Sequence, residues 1–171
     1  TAGAELSVAE VERLLDDPRI GYLSEMMNFP GVLNGDADCL AKIKAARDRD
    51  KPVDGHAPGL RGDAARRYID AGITTDHECF TKEEALDKLA CGCKIAIREG
   101  SAARNFDALY TLVAEYPGRT MFCSDDKHPD ELATGHIDEL VRRAASRGID
   151  VFDALRAACL TPIEHYKLPV G

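Results

Sequence analysis

No stretch of this 171-residue chain holds the roughly 18 consecutive apolar residues that a membrane-crossing helix needs. Nor does it open with the basic and then apolar segment of a signal peptide. Positive charge is in deficit: 22 Lys and Arg stand against 30 Asp and Glu, a net charge of −8. Such a surface repels phosphate and argues against nucleic acid as a partner. Cysteine pairing is missing too. The six cysteines (Cys39, Cys79, Cys91, Cys93, Cys123 and Cys159) are scattered over helix-like and strand-like segments, which does not suit a disulfide framework. Cys91-Gly92-Cys93 has no second pair at zinc spacing and reads as a helix end turning into a strand. The chain is therefore expected to be cytoplasmic, with reduced, mostly buried thiols. What remains is an ordinary globular composition, 44% apolar and 30% charged, long enough for one core-bearing domain. The chain starts at Thr1 and stops after Leu168-Pro169-Val170-Gly171 with no closing element, so both ends read as cut.

Helix-like and strand-like segments alternate throughout. Ser7-Val8-Ala9-Glu10 is a capping box, followed by Val8, Val11, Leu14 and Leu15 at helical spacing up to Pro18. Ile20 to Leu23 reads as a strand leading to Glu25. A helix is expected over Asp36 to Arg47, a weak strand over Pro52 to His56, a helix over Asp63 to Ala71, and a strand over Ile73 to Asp76. Thr81-Lys82-Glu83-Glu84 is a second capping box, opening a helix through Ala90. Lys94 to Ile97 is a strand. Asn105 caps a helix carrying Leu109, Leu112 and Val113, and Thr120 to Cys123 is the last strand. Helices over Ile137 to Ser146 and Val151 to Leu160 follow.

The pattern is five βα units, each with polar residues at the strand's C-terminal end. Glu25, His56, His77, Glu99 and Asp125 are separated by 31, 21, 22 and 26 residues, room for a strand, a helix and two loops each. A doubly wound open sheet fits the alternation, but its usual glycine-rich phosphate loop is absent. A (β/α)8 barrel brings all its strand ends to one face, so the polar residues become one site. Eight units need about 250 residues, so the expectation is a partial barrel of about five units. Two imidazoles and two carboxylates in one register are a donor set for a divalent metal, with Glu25, His56 and His77 as one group and Asp125 as a further ligand or proton acceptor. Taken singly, each has a plainer reading: a hydrogen-bonded loop histidine, a helix-entry charge, a polar turn.

The local motifs add more. Glu25-Met26-Met27-Asn28-Phe29-Pro30-Gly31-Val32, Gly55-His56-Ala57-Pro58-Gly59-Leu60, Asp76-His77-Glu78-Cys79, Ile97-Arg98-Glu99-Gly100-Ser101-Ala102-Ala103 and Cys123-Ser124-Asp125-Asp126-Lys127-His128-Pro129 occur in that order. From about Leu6 to Leu168 the series resembles the adenine deaminases of the amidohydrolase superfamily. The resemblance implies a distorted (β/α)8 barrel with a binuclear Mn, Fe or Zn centre, and hydrolysis of adenine at C6 to hypoxanthine and ammonia by metal-activated water, in purine salvage. It implies that the five units are strands four to eight. It makes Glu25 the bridging carboxylate, His56 and His77 ligands of one metal, and Asp125 the ligand of the other and the proton carrier. Arg98, Glu99 and Ser101 become candidate substrate contacts, with Glu78 and His128 behind or beside the ligands.

The family pattern also calls for a His-x-His pair on its first strand, and none of the five histidines here forms one. The expectation is a single unit, 1–171, lacking the N-terminal strands and the small β domain. By itself it is expected to show no useful turnover and to associate with the missing segment or as a homo-oligomer. Another amidohydrolase, acting on a cyclic amide or different nucleobase, shares the metal set. A non-catalytic half-barrel interaction module is the alternative from a different class.

Overall fold

The computed structural model describes residues 3–170. Its centre is one parallel sheet of β1 (Leu23–Met26), β2 (Val53–Gly55), β3 (Thr75–Asp76), β4 (Lys94–Arg98) and β5 (Thr120–Cys123), hydrogen-bonded in chain order. Sequential parallel neighbours joined by helices form an arc of barrel wall, so the partial barrel is what the described residues build.

The helices cover one face. These are α1 (Val8–Leu15), α2 (Phe29–Leu33), α3 (Ala37–Arg47), α4 (Gly62–Asp70), α5 (Lys82–Ala90), α6 (Phe106–Leu109), α7 (Leu112–Glu115), α8 (Pro129–Leu132), α9 (Ile137–Ser146), α10 (Val151–Leu155) and α11 (Thr161–Tyr166). Two apolar clusters fill the interface. One gathers Val11, Leu15, Ile43, Val53, Ala65 and Tyr68 around β1 and β2. The other gathers Leu89, Ile95, Ile97, Phe106, Leu112, Phe122 and Leu140 around β4 and β5. Alternation along β4 sends Ile95 and Ile97 into the second cluster, which leaves Ala96 and Arg98 for the opposite face.

Local chemistry sets most boundaries. The Ser7 box forms in full, with the hydroxyl accepting from Glu10 N and the Glu10 carboxylate accepting from Ser7 N. The Thr81 box forms by half. Its hydroxyl accepts from Glu84 N, but the Glu84 carboxylate turns inward to other partners. The strand expected over Ile20 to Leu23 begins later: Asp17 accepts from Arg19 N and Ile20 N in a turn, and β1 starts at Leu23. The helix expected from Asn105 is interrupted at Tyr110 and Thr111, where Lys82 Nζ reaches the Thr111 hydroxyl, and Asn105 makes no side-chain cap. The helix after Val151 passes through a π turn at Arg156–Leu160 into α11. Pro162 has no N–H to donate, so the ladder must shift there. Cys91-Gly92-Cys93 is the turn from α5 into β4, with Gly92 at φ +97°, and all six cysteines are free.

Candidate metal centre

The C-terminal ends of the strands deliver the site. Glu25 lies on β1, and His56 follows β2. His77 and Glu78 follow β3, Arg98 ends β4, and Asp125 follows β5. They line a cavity of about 330 Å³ together with Met27, Ala102, Ala103 and Asp126.

Glu25 Oε2 is 2.8 Å from His56 Nδ1 and 3.6 Å from His77 Nε2. The two rings stand nearly edge to face with centroids 5.3 Å apart. Glu78 Oε1 lies 3.4 Å from the same His56 nitrogen and 3.5 Å from the same His77 nitrogen. Two donor groups result, Glu25 with His56 and His77, and His77 with Glu78 and Asp125. Within each, the ligand atoms lie within 4.8 Å of one another. Imidazole nitrogens and carboxylate oxygens gathered this closely are a donor set that fits Zn, Mn or Fe.

Three supports hold these side chains, and the sequence marked out only one of them, Asn105, and that as a helix cap. The Tyr68 hydroxyl accepts from His56 N at 3.1 Å and donates to Met26 O at 2.7 Å, joining the ends of β1 and β2. Burial raises the Tyr68 pKa well above that of an ordinary phenol, so the group stays a donor. Beneath the histidines, fully buried Lys88 lies 3.1 Å from Asp76 Oδ1 and 2.9 Å from Glu84 Oε1, and donates to Ala57 O at 2.7 Å. The two carboxylates also accept from Ala57 N, Glu78 N, Gly59 N and Phe80 N. One buried cluster thereby fixes both loops that carry the imidazoles. Asn105 is the third support. Its Oδ1 accepts from Arg98 N, and its Nδ2 donates to His77 O and Cys79 O. Gly55 is required by close approach, since a Cβ there would lie 2.4 Å from Thr75 O.

Asp125 has φ +49°, in the left-handed region that Asp tolerates better than most residues. Partial burial pushes its pKa up, but the Asp126 N–H and the Arg98 guanidinium outweigh that, and the carboxyl sits below the usual carboxylate range. Arg98 does not pair with Glu99. It forks onto Glu78, with Nη2 2.9 Å from Oε2 and Nη1 on Oε1, and Nη1 also lies 2.5 Å from Asp125 Oδ2.

The structure thus brings Glu25, His56, His77, Glu78, Arg98 and Asp125 together. It does not bring Glu99, Ser101 or His128 into the cavity. Glu99 accepts from Arg143 at 2.7 Å. Ser101 donates to Glu131 at 2.6 Å and accepts from His128 N, which ties the β4 and β5 loops. The His128 residue is exposed at the start of α8. His136 precedes α9, and His165 packs in α11 far along the strands from the site.

Comparison with known proteins agrees with this geometry. Residues 4–171 match the amidohydrolase family. Adenine deaminase of Salinibacter ruber is 64% identical over the whole chain, that of Methanosarcina mazei 54% and that of Borreliella burgdorferi 47%. The chain spans 31% or 32% of the length of these relatives. Among solved structures, a TatD homologue from Escherichia coli K12 superposes with a TM-score of 0.64 at 14% identity, over 97% of this chain and 72% of that one, a likeness of fold. With that fold, the strand-end donor set and the match over residues 4–171, the chain belongs to the amidohydrolase family.

Proposed function

We propose that these residues form the metal-binding part of a hydrolytic adenine deaminase that converts adenine to hypoxanthine and ammonia. The observation that carries the reading is the convergence of Glu25, His56 and His77 on one point, in a chain alike over its full length to proteins of that name. Glu25, His56 and His77 would hold a divalent Mn, Fe or Zn ion. Such an ion supplies Lewis acidity, which makes water a nucleophile near neutral pH. In the binuclear centre implied by the resemblance, the second ion would draw on Asp125 together with ligands outside these residues.

The chain's own groups do the rest. Each Asp125 oxygen accepts from one donor, Asp126 N or Arg98, which fixes the carboxylate while leaving lone pairs for a proton in transit from water to the leaving amino group. Ala102, Ala103 and Met27 give the cavity apolar wall against which a flat base can lie. Glu99 and Ser101 remain proposed substrate contacts only through loop movement, since both now hold partners in the rim. Glu78 lines the cavity behind both imidazoles, with both of its oxygens held by Arg98.

A cytoplasmic setting fits six free cysteines, and no helix among the described residues is long and apolar enough to cross a membrane. β1 and β5 present sheet edges among the described residues, so we extend the proposal to association with another segment or a second copy.

The test replaces the matching third of the Salinibacter ruber relative with this chain. With Mn²⁺ or Fe²⁺ the chimera is expected to release ammonia from adenine, whereas the chain alone, with no His-x-His pair, is expected to release none. A folded, metal-loaded chimera that turns over guanine, cytosine or a dihydropyrimidine but leaves adenine untouched would refute the adenine reading.

A further inference from the structure

The two donor groups differ in one respect. Among the described residues Glu25 has no Lys or Arg partner, and its contacts are the two imidazoles. Glu78 and Asp125 are already bridged by a cation, the Arg98 guanidinium, whose side chain is 6% exposed. Arg98 reaches both carboxylates with its Nη atoms, while its Nε has no hydrogen-bond partner among the described residues. Its backbone is pinned by Asn105, which also holds His77 O, so guanidinium and imidazole keep a fixed relation. A guanidinium is always charged, planar and matched to carboxylates by its fork of donors. A divalent ion entering between Glu78 and Asp125 would have to strip those hydrogen bonds or lie against a like charge in a half-buried site.

We propose that Arg98 is a built-in counter-cation filling the second donor group. The chain's own residues then take a single divalent ion, at Glu25, His56 and His77, while Asp125 is held by the guanidinium rather than by an ion. This rests on the metal-hydrolase reading above and sharpens it. Arg98 is a positioning residue that keeps Glu78 and Asp125 facing the cavity, and any second ion needs ligands from elsewhere to compete for Asp125.

Mn²⁺ titration of the full chain, followed by calorimetry and by the loss of the free-ion EPR signal, tests this. One ion per chain is expected. Glu25→Gln is expected to weaken binding by more than about 100-fold, and Asp125→Asn to change it by less than about threefold. Arg98→Met is expected to admit a second ion. Two ions of similar affinity in the unaltered chain would overturn the proposal while leaving the hydrolase reading intact. So would a loss of tenfold or more, about 1.4 kcal/mol, in Asp125→Asn, or an Arg98→Met chain that still takes one. Absence of any binding would sink both. If circular dichroism shows Arg98→Met unfolded, the Glu25→Gln and Asp125→Asn pair decides, together with Arg98→Lys, which keeps the charge and is expected to stay at one ion.

Discussion

The two ends of the parallel sheet use charge in opposite ways. At the C-terminal ends of the strands, carboxylates, imidazoles and Arg98 point at one another and share partners around a cavity. At the N-terminal ends, basic side chains reach backbone carbonyls instead. Lys51 donates to Leu15 O at the end of α1, Arg119 to Leu89 O near the end of α5, and Arg47 to Ala71 O just past α4. The polarity of a βα unit explains the contrast. Every helix that returns the chain ends at the sheet's N-terminal face, where its last carbonyls lack partners and its dipole is negative, so Lys and Arg are wanted there. A cavity of about 560 Å³ lies at that end too, and of its charged groups Arg47 and Lys51 reach helix-end carbonyls, Lys94 meets His165 and Lys167 pairs with Asp50. Side chains at one end hold helices while those at the other converge on a cavity, the division of labour known from complete barrels.

Substitutions separate the two roles. The largest effect is expected between the ends, at the buried Lys88. Lys88→Met leaves Asp76 and Glu84 as uncompensated buried charges and should cost about 3–5 kcal/mol in urea unfolding. A loss under about 1 kcal/mol would show that water or protonation relieves the pair. Next, His77→Ala at the chemical end should weaken Mn²⁺ binding by about 100-fold, near 2.7 kcal/mol, with a small change in melting temperature. A chain that unfolds instead would blur the distinction. At the structural end, Arg119→Ala removes two hydrogen bonds to carbonyls and should cost about 1–2 kcal/mol of stability, with Mn²⁺ affinity unchanged.

The smallest effect is a pH dependence. Burial, then the nearby Lys94, lowers His165 from the ordinary 6.5 to about 4. The unfolded chain therefore binds more protons between those values. The His165 contribution to stability is present above pH 6.5 and is lost as pH falls toward 4. Allowing for solvent screening of this half-buried ring, His165→Gln should spare about 1 kcal/mol of that decline, measured as the difference in urea midpoints at pH 7 and pH 5.

The site was legible where residue type and position were both unusual. Histidines and acids at the ends of four short apolar runs announce a converging donor set, because strand direction alone brings them to one face. Lys88 was hidden, since Glu84 and Lys88 four apart on a helix look like a solvent-exposed pair until tertiary packing buries them. Tyr68 lies within the helix expected over Asp63 to Ala71 with nothing local to mark it, and its hydroxyl finds Met26 O only once α4 lies under β1 and β2. Glu99 and Ser101 sit in the right loop, but Arg143 and Glu131, on later helices, take their side chains. Fold was easier than site because alternation is a local signal, while partner choice for Ser101, Tyr68 and Glu99 depends on residues 30, 42 and 44 positions away.

Tyr68 has a further, spectroscopic consequence. The chain contains no tryptophan and only five tyrosines, so its near-ultraviolet emission belongs mostly to those phenols. One of them is buried directly beneath the donor set, hydrogen-bonded to the backbone of His56 and of the residue after Glu25. An ion at the proposed site that shifted these two segments would change the hydrogen bonding of this chromophore, so tyrosine emission is the expected optical readout of binding.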